Sequence, residues 1–123
     1  MRIMVNESAE NYLETILMLS ETLPVVRSVD IANELGFKKS SVSVAMKNLR
    51  EKEHITVTDA GFIYLTESGR AIAEMIRERH QLLTLWLTQL GVPEGIASED
   101  ACKLEHVLSK ESFEAIKKHA NIE

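Results

Sequence analysis

The chain has 123 residues, of which 45% are hydrophobic and 27% charged, and its formal net charge at pH 7 is −5. These values are ordinary for a soluble globular protein and exclude a membrane span, because aliphatic runs such as residues 16–19 are far too short to cross a bilayer. The length suits one ordinary domain, or two small ones that share a core.

Two features bear on the cellular compartment. The N-terminus lacks the long apolar stretch and the small-residue cleavage site of a secretory signal. Cys102 is the only cysteine, so an internal disulfide is impossible, which fits a reducing compartment. A cytoplasmic location is therefore expected. The sequence shows no nucleophile–base arrangement and no signal of a substrate pocket, so neither an enzyme nor a small organic substrate is expected.

The charges are unevenly distributed along the chain. Residues 38–52 hold five cations and one acid, a local charge of +4, whereas residues 91–123 hold seven acids and four cations, a local charge of −3. Nucleic-acid binding requires a positive surface, so the basic segment is a candidate for it. A charge cluster alone is more often a solvated face.

The first half of the chain predicts three helices. Apolar residues at helical spacing predict a helix over 8–21 with Ser8 as its N-cap, and Pro24 ends that segment. A second helix is expected over 28–35, with Ser28 as its N-cap and Gly36 in the usual C-terminal glycine position. A third is expected over 40–52.

The remainder predicts a hairpin and then helices only. Residues 54–58 and 62–65 flank a glycine-containing turn, which indicates a β-hairpin. A long helix is expected from residue 66 to about residue 90, followed by shorter helices over 98–108 and 111–119. We therefore predict domains at 1–70 and 71–123. The second can hardly fill a core alone and should pack against the first helix, a second copy, or both.

Three helices followed by a hairpin are typical of a winged helix-turn-helix, whose third helix fits the DNA major groove. The start of this helix carries cations that can bind phosphates and hydroxyls that can bind base edges. Arg27 and Ser28, at the start of the second helix, can bind the phosphate backbone. The predicted DNA contacts are Arg27, Ser28, Lys38, Lys39, Ser40, Ser41, Ser43 and Lys47. The alternative is a winged helix that serves as a protein-interaction module. The turn at 59–61 lacks a basic residue, so only a weak wing contact with DNA is expected.

The segment 102–106 carries three potential metal ligands. Cys102, Glu105 and His106 are spaced i, i+3 and i+4, so a continuous helix would place them on one face. They form half of a site for a borderline divalent cation. His80, Glu14 and Asn11 are further candidates, and about six donors suit manganese or iron better than structural zinc, which takes four. Spacing alone leaves open that each residue has an ordinary structural role.

An ordered set of segments along the chain resembles the diphtheria toxin repressor family, which includes iron-dependent repressors and manganese transport regulators. The similarity covers essentially the whole chain, and the segment around Cys102, Glu105 and His106 is its most specific part. The matching segments are residues 10–16, 29–35, 40–43, 65–69, 79–83 and 100–108.

The resemblance implies a mainly α fold: a winged helix-turn-helix followed by an all-helical metal-binding and dimerisation domain. It implies a homodimer that binds palindromic operators upstream of metal-uptake genes, mostly as a repressor, with ions bound between the two modules. It gives ligand roles to Asn11, Glu14, His80, Cys102, Glu105 and His106. Because the sequence stops at Glu123, a short form without the SH3-like domain of longer members is expected.

The sequence departs from the family pattern at the metal site. The position of Asn11 more often holds Asp or Met, Cys102 resembles the iron-responsive branch, and Glu14 resembles the manganese-responsive branch. We therefore expect Mn(II) or Fe(II), for which Co(II), Ni(II) or Zn(II) can substitute. Thr84 and Ser98 stand where an ancillary site would need a carboxylate and a histidine. The alternatives are a metal-independent winged-helix regulator and a redox role for Cys102.

Overall fold

The computed structural model describes residues 7–120. Within them, three helices, a two-stranded sheet and three further helices follow one another in the predicted order. The elements are α1 (Glu7–Ser20), α2 (Ser28–Leu35), α3 (Lys39–Glu51), β1 (Ile55–Val57), β2 (Ile63–Leu65), α4 (Glu67–Gln89), α5 (Glu94–Leu104) and α6 (Lys110–Ala120). These residues form two compact units, 8–74 and 75–120, and the division lies within α4. No helix between residues 7 and 120 has the length and apolarity that a membrane span needs.

The first unit is a winged helix-turn-helix with one hydrophobic core, as predicted. The apolar stripe of α1 supplies Tyr12, Leu13, Ile16 and Leu17, all of them buried. The segment before α2, helices α2 and α3 and the two strands add Val26, Ile31, Ala32, Val42, Met46, Leu49, Ile55 and Ile63. Burial raises the pKa of Tyr12 above its ordinary value of 10.0, because desolvation disfavours the phenolate.

The helix ends differ from prediction at the N-caps. Helix α1 already includes Glu7, and α2 begins at Ser28 with Arg27 in the N-cap position, so Ser8 and Ser28 as N-caps are wrong. Asp30 performs the capping of α2, because its carboxylate accepts a hydrogen bond of 2.9 Å from the Arg27 main-chain N–H. Gly36 ends α2 as predicted, with a left-handed φ of 69°.

The predicted hairpin is present as a short wing. Strands β1 and β2 are antiparallel, with Ile55 opposite Leu65 and Val57 opposite Ile63. Ile55 and Ile63 face the core of the unit, and an isolated bridge between Val26 and Ile63 attaches the wing to the segment before α2. The wing is therefore tied to the start of α2.

Helix α4 begins against the wing. The Thr66 hydroxyl accepts a hydrogen bond of 3.2 Å from the Gly69 N–H, and the Thr66 N–H donates to the His54 carbonyl at 3.1 Å. Gly69 lies so close to the same carbonyl that a Cβ there would collide with it. A glycine is therefore required where the helix meets the backbone of the wing.

The second unit contains the last part of α4 with α5 and α6. Its buried apolar side chains are few: Ile76, Leu82, Leu83, Ala97, Ala101 and Phe113. The predicted helix over 98–108 is wrong at both ends. Helix α5 begins at Glu94, because Pro93 with its fixed φ suits the start of a helix. It ends at Leu104, after which the Val107 N–H bonds to the Leu104 carbonyl in a tighter turn.

Candidate functional site

Helix α3 presents a polar, basic face to solvent. Val42, Met46 and Leu49 are buried in the unit, which leaves the opposite side of the helix exposed. The predicted contact residues Lys38, Lys39, Ser40, Ser41, Ser43 and Lys47 all lie exposed on this helix or at its N-cap. Arg27 is exposed and Ser28 half-buried at the start of α2. Their spatial arrangement is that of a reading helix and its flank.

Three of these residues converge on a small cavity. Ser28, Ser43 and Lys47 line a cavity of about 130 Å³ together with Met46, Arg50 and Val57. Two hydroxyls and two cations around one cavity are the groups that bind phosphate oxygens. The side chains of α2 and α3 around this cavity could therefore bind one phosphate group of a DNA backbone.

Two residues of this face were missing from the predicted contact set. Arg50 lines the same cavity, and its position on the outward face of α3 was a usable signal. Val44 is 61% exposed in the middle of the polar face. An exposed apolar side chain there can contact the methyl group of thymine. Its β-branched character among serines and a lysine was the signal in the sequence.

The second unit brings three predicted metal ligands together, with His80 and His106 on either side of the buried Glu105 carboxylate. Glu105 is 1% exposed, and its Oε1 lies 2.9 Å from Nδ1 of His80 on α4. Its Oε2 lies 3.4 Å from Nε2 of His106, whose side chain is 3% exposed. With His80 donating from Nδ1, its Nε2 can accept from the Ser98 hydroxyl at 3.4 Å. Glu105 is thus the centre of the cluster.

The prediction of one continuous helix over Cys102, Glu105 and His106 is wrong, because α5 ends at Leu104 and only Cys102 lies within it. Glu105 occupies the C-cap of α5, and His106 lies in the turn beyond it. Cys102 is within α5 and exposed, whereas Glu105 is buried. Asn11 and Glu14 lie half-buried on α1 in the first unit. Their ligand roles, and that of Cys102, stay predictions of the resemblance.

The chemistry of the cluster fits a divalent transition metal. Imidazole nitrogens and a carboxylate are ligands for manganese, iron and zinc. A buried carboxylate is costly unless cations or hydrogen-bond donors lie beside it, and here the imidazoles of His80 and His106 lie beside the Glu105 carboxylate. As the side chains of residues 7–120 are placed, no group of three or more His, Cys, Asp or Glu could hold a metal ion.

On its other side His80 borders a cavity that is lined by three hydroxyl side chains among others. The cavity has a volume of about 390 Å³ and is lined by His80, Gln81, Thr84, Leu85, Thr88, Glu94 and Ser98. The Thr84 hydroxyl is buried and has no hydrogen-bond partner among the described residues. Thr84 and Ser98 thus lie beside His80, where the family pattern led us to expect a carboxylate and a histidine.

A buried arginine beside the cluster was also missed by the sequence reasoning. Arg79 is 7% exposed and donates hydrogen bonds to the main chain around Glu105. The signal was its helical spacing from Ile76 and Leu83, which places residue 79 on the buried side of α4. A charge at such a position needs a partner.

Comparison with protein families gives two matches that together span nearly the whole chain. Residues 4–60 match the N-terminal DNA-binding domain of iron-dependent repressors. Residues 66–121 match the metal-binding and dimerisation domain of the same repressors. The first match covers helices α1 to α3 and strand β1, and the second contains His80, Glu105 and His106.

Individual relatives agree with these matches. The chain is 36% identical over 115 residues to an uncharacterised HTH-type transcriptional regulator of Methanocaldococcus jannaschii, covering 92% of each chain. It is 33% identical over 111 residues to the transcriptional regulator MntR of Escherichia coli, covering 90% of this chain and 72% of the relative. A solved manganese-dependent transcriptional repressor in complex with manganese matches with a TM-score of 0.83 and 26% identity. That match covers 94% of this chain and 53% of the solved chain, so this chain spans about half its length.

Proposed function

This chain belongs to the iron-dependent repressor family of metal-dependent transcriptional repressors, and we propose that it represses metal-homeostasis genes in response to Mn(II) or Fe(II). The observation that carries the proposal is the buried Glu105 carboxylate between His80 and His106. Members of this family are transcriptional regulators, and no enzymatic activity is proposed. We place the protein in the cytoplasm, where its operators would be.

DNA is recognised by the winged unit. Helix α3 enters the major groove with its exposed serines and Val44 towards the base edges, while Lys47, Arg50 and the start of α2 hold phosphates. A homodimer presents two such helices to successive major grooves about 34 Å apart, and this spacing demands a palindromic operator. The polar face of α3 and the cavity between Ser28 and Lys47 support this part of the proposal.

Dimerisation belongs to the second unit. The family match assigns a dimerisation domain to residues 66–121. The buried apolar side chains of this unit are few. Three large apolar side chains are exposed: Leu85 on α4, Leu90 in the connection and Ile96 on α5. Burial of such side chains against a second copy would supply the core that this unit lacks.

The proposed ligand set is Asn11, Glu14, His80, Cys102, Glu105 and His106. When bound, the ion would supply a positive charge beside the buried Glu105 carboxylate. The thiolate of Cys102 favours iron, cobalt or zinc, whereas the carboxylate and amide oxygens favour manganese. The donors therefore support both Mn(II) and Fe(II) as the activating ion.

Metal control of DNA binding requires that the ion bind the DNA-competent state more tightly. An affinity about 100-fold higher for that state corresponds to a coupling free energy of about 3 kcal/mol. By linkage, operator DNA must raise metal affinity by the same factor. This reciprocity distinguishes a regulatory ion from a permanently bound structural one.

The proposal is tested with purified, metal-stripped protein and a pool of randomised DNA duplexes, to which Mn(II), Fe(II), Co(II) or Zn(II) is added separately. We expect a palindrome to be selected only in the presence of metal, and the most potent ion to identify the activator. Selection of the same palindrome without metal would support the metal-independent regulator instead. Absence of any selected sequence under all conditions would favour a protein-interaction module.

Removal of a cation from the phosphate-binding cavity has a specific expected result. Lys47→Ala and Arg50→Ala should each weaken binding to all DNA sequences alike, and each should reduce the slope of log K against log salt by about 1. Fluorescence anisotropy measures this slope between about 50 and 200 mM salt, a range over which phosphate contacts make DNA affinity fall steeply. Lys118→Ala, an exposed lysine on α6, is the control. An unchanged slope in Lys47→Ala and Arg50→Ala would contradict the cavity's role.

Cys102 decides the preference among metals in this proposal. Cys102→Ser should lower the affinity for Zn(II) and Co(II) by a larger factor than that for Mn(II), because the hard hydroxyl replaces a soft thiolate. Competition with a fluorescent chelator measures these affinities. If Cys102→Ser binds each of the three ions with the same affinity as the wild type, Cys102 is not a ligand. Loss of DNA binding after peroxide treatment, restored by thiol, would instead support the redox alternative.

A further inference from the structure

A buried arginine contacts the turn that carries Glu105 and His106 at two points of its main chain. Nη1 of Arg79 donates to the main-chain carbonyl of Glu105 at 3.1 Å and to that of Leu108 at 2.7 Å. These carbonyls lie at and beyond the C-terminal end of α5, where helical carbonyls lose their partners and attract cations. Arg79 therefore bridges both ends of the segment 105–108.

Packing holds the guanidinium itself in place. Its central carbon lies 5.2 Å from the centre of the Phe113 ring on α6, within the range of a cation–π contact. A separate ion pair, with Lys117 Nζ 2.7 Å from Glu78 Oε2, also joins α6 to α4. Three helices thus meet at Arg79, which immediately precedes His80 in α4.

The position is costly for a charged residue. Arg79 is 7% exposed, and its Nε is buried with no hydrogen-bond partner among the described residues. An apolar side chain would pack there without these costs, and replacement of buried ionic groups by apolar ones is often neutral or stabilising. Packing alone therefore does not explain an arginine at this position.

We propose that Arg79 is a positioning residue, which holds the Glu105–Leu108 turn so that the Glu105 carboxylate and the His106 imidazole are in place before the ion arrives. The proposal rests on the metal-binding function proposed above. Groups that orient metal ligands without touching the ion change metal affinity about 10- to 100-fold when they are removed. Arg79 acts on the main chain of the ligands, whereas most such groups act on the ligand side chains.

The test uses residues 1–123 with Arg79→Met or Arg79→Lys. Arg70→Met is the control, since Arg70 is an exposed arginine near the start of α4. Mn(II) binding is followed by the electron paramagnetic resonance signal of free Mn(II). We expect Arg79→Met to bind Mn(II) about 10- to 100-fold more weakly. Arg79→Lys should recover part of this loss, because its ammonium can still donate to the carbonyls. Arg70→Met should match the wild type.

Hydrogen exchange of the metal-free proteins provides the second measurement. Arg79→Met should accelerate exchange at the amides of residues 105–108 while its thermal unfolding midpoint stays near that of the wild type. Should Arg79→Met fail to fold, Arg79→Lys carries the test by the same two measurements. Unchanged exchange, or unchanged Mn(II) affinity in a folded Arg79 variant, would overturn the positioning role alone. A wild type that binds no Mn(II), Fe(II), Co(II) or Zn(II) would overturn the proposed function and the positioning role with it.

Discussion

Glu105→Gln is expected to weaken Mn(II) binding by about 100-fold or more and to abolish metal-dependent operator binding. The amide has nearly the shape of the carboxylate but carries no charge, so it binds a divalent ion more weakly than the carboxylate does. The metal-free protein should be at least as stable as the wild type, because a buried charge is removed from a side chain that is 1% exposed. Mn(II) titration, operator anisotropy and thermal unfolding together measure the three effects.

Glu99→Gln is the matched control for this prediction. It makes the same chemical change on α5, at an exposed position, and should leave metal and DNA binding unchanged. Metal-dependent DNA binding by Glu105→Gln at wild-type Mn(II) concentrations would show that the His80–Glu105–His106 cluster is a structural hydrogen-bond network. The second unit would then lack its proposed metal centre.

Gly69→Ala is expected to destabilise the winged unit by roughly 1–3 kcal/mol, the usual cost of forcing an extra group into a packed site. The added Cβ would collide with the main-chain carbonyl of His54, which cannot rotate away as a flexible side chain could. The start of α4 and the wing must separate, which also weakens the hydrogen bond between the Thr66 N–H and the same carbonyl. Urea unfolding measures the loss of stability.

Gly95→Ala makes the same substitution where no atom would meet the new Cβ. Gly95 lies in the first turn of α5, so alanine should stabilise the protein by roughly 0.4–1 kcal/mol, through the smaller entropy of the unfolded chain and the better helix propensity. The two variants should therefore shift the urea midpoint in opposite directions. A stable Gly69→Ala protein would mean that the wing does not rest on α4 as described.

Local patterns were sufficient to predict most elements of the fold. The apolar stripe of α1, the glycine that ends α2, the hairpin and the long α4 all depend on neighbouring residues, and each is present in the structure. The N-caps were less predictable. Ser28 and Asp30 both favour capping at the start of α2, and here Asp30 performs it from three residues beyond Arg27.

The candidate metal centre was predictable as a set of residue types but not as a geometry. Cys102, Glu105 and His106 have helical spacing, yet α5 ends at Leu104 because a tighter turn follows it. Cys102 is consequently exposed while Glu105 is buried. Periodicity assumes a continuous helix, and the end of α5 carried no glycine or proline to signal its termination.

The sequence by itself determined the order of the elements, the polar face of α3 and the identity of the candidate metal ligands, because periodicity, turn residues and residue chemistry are local properties. Only the tertiary structure brought His80 within 2.9 Å of Glu105, 25 residues later in the chain, and placed the Arg79 guanidinium on the carbonyls of the turn between α5 and α6. Such contacts depend on how helices pack. Packing is decided by the fit of many side chains at once, which no local pattern encodes.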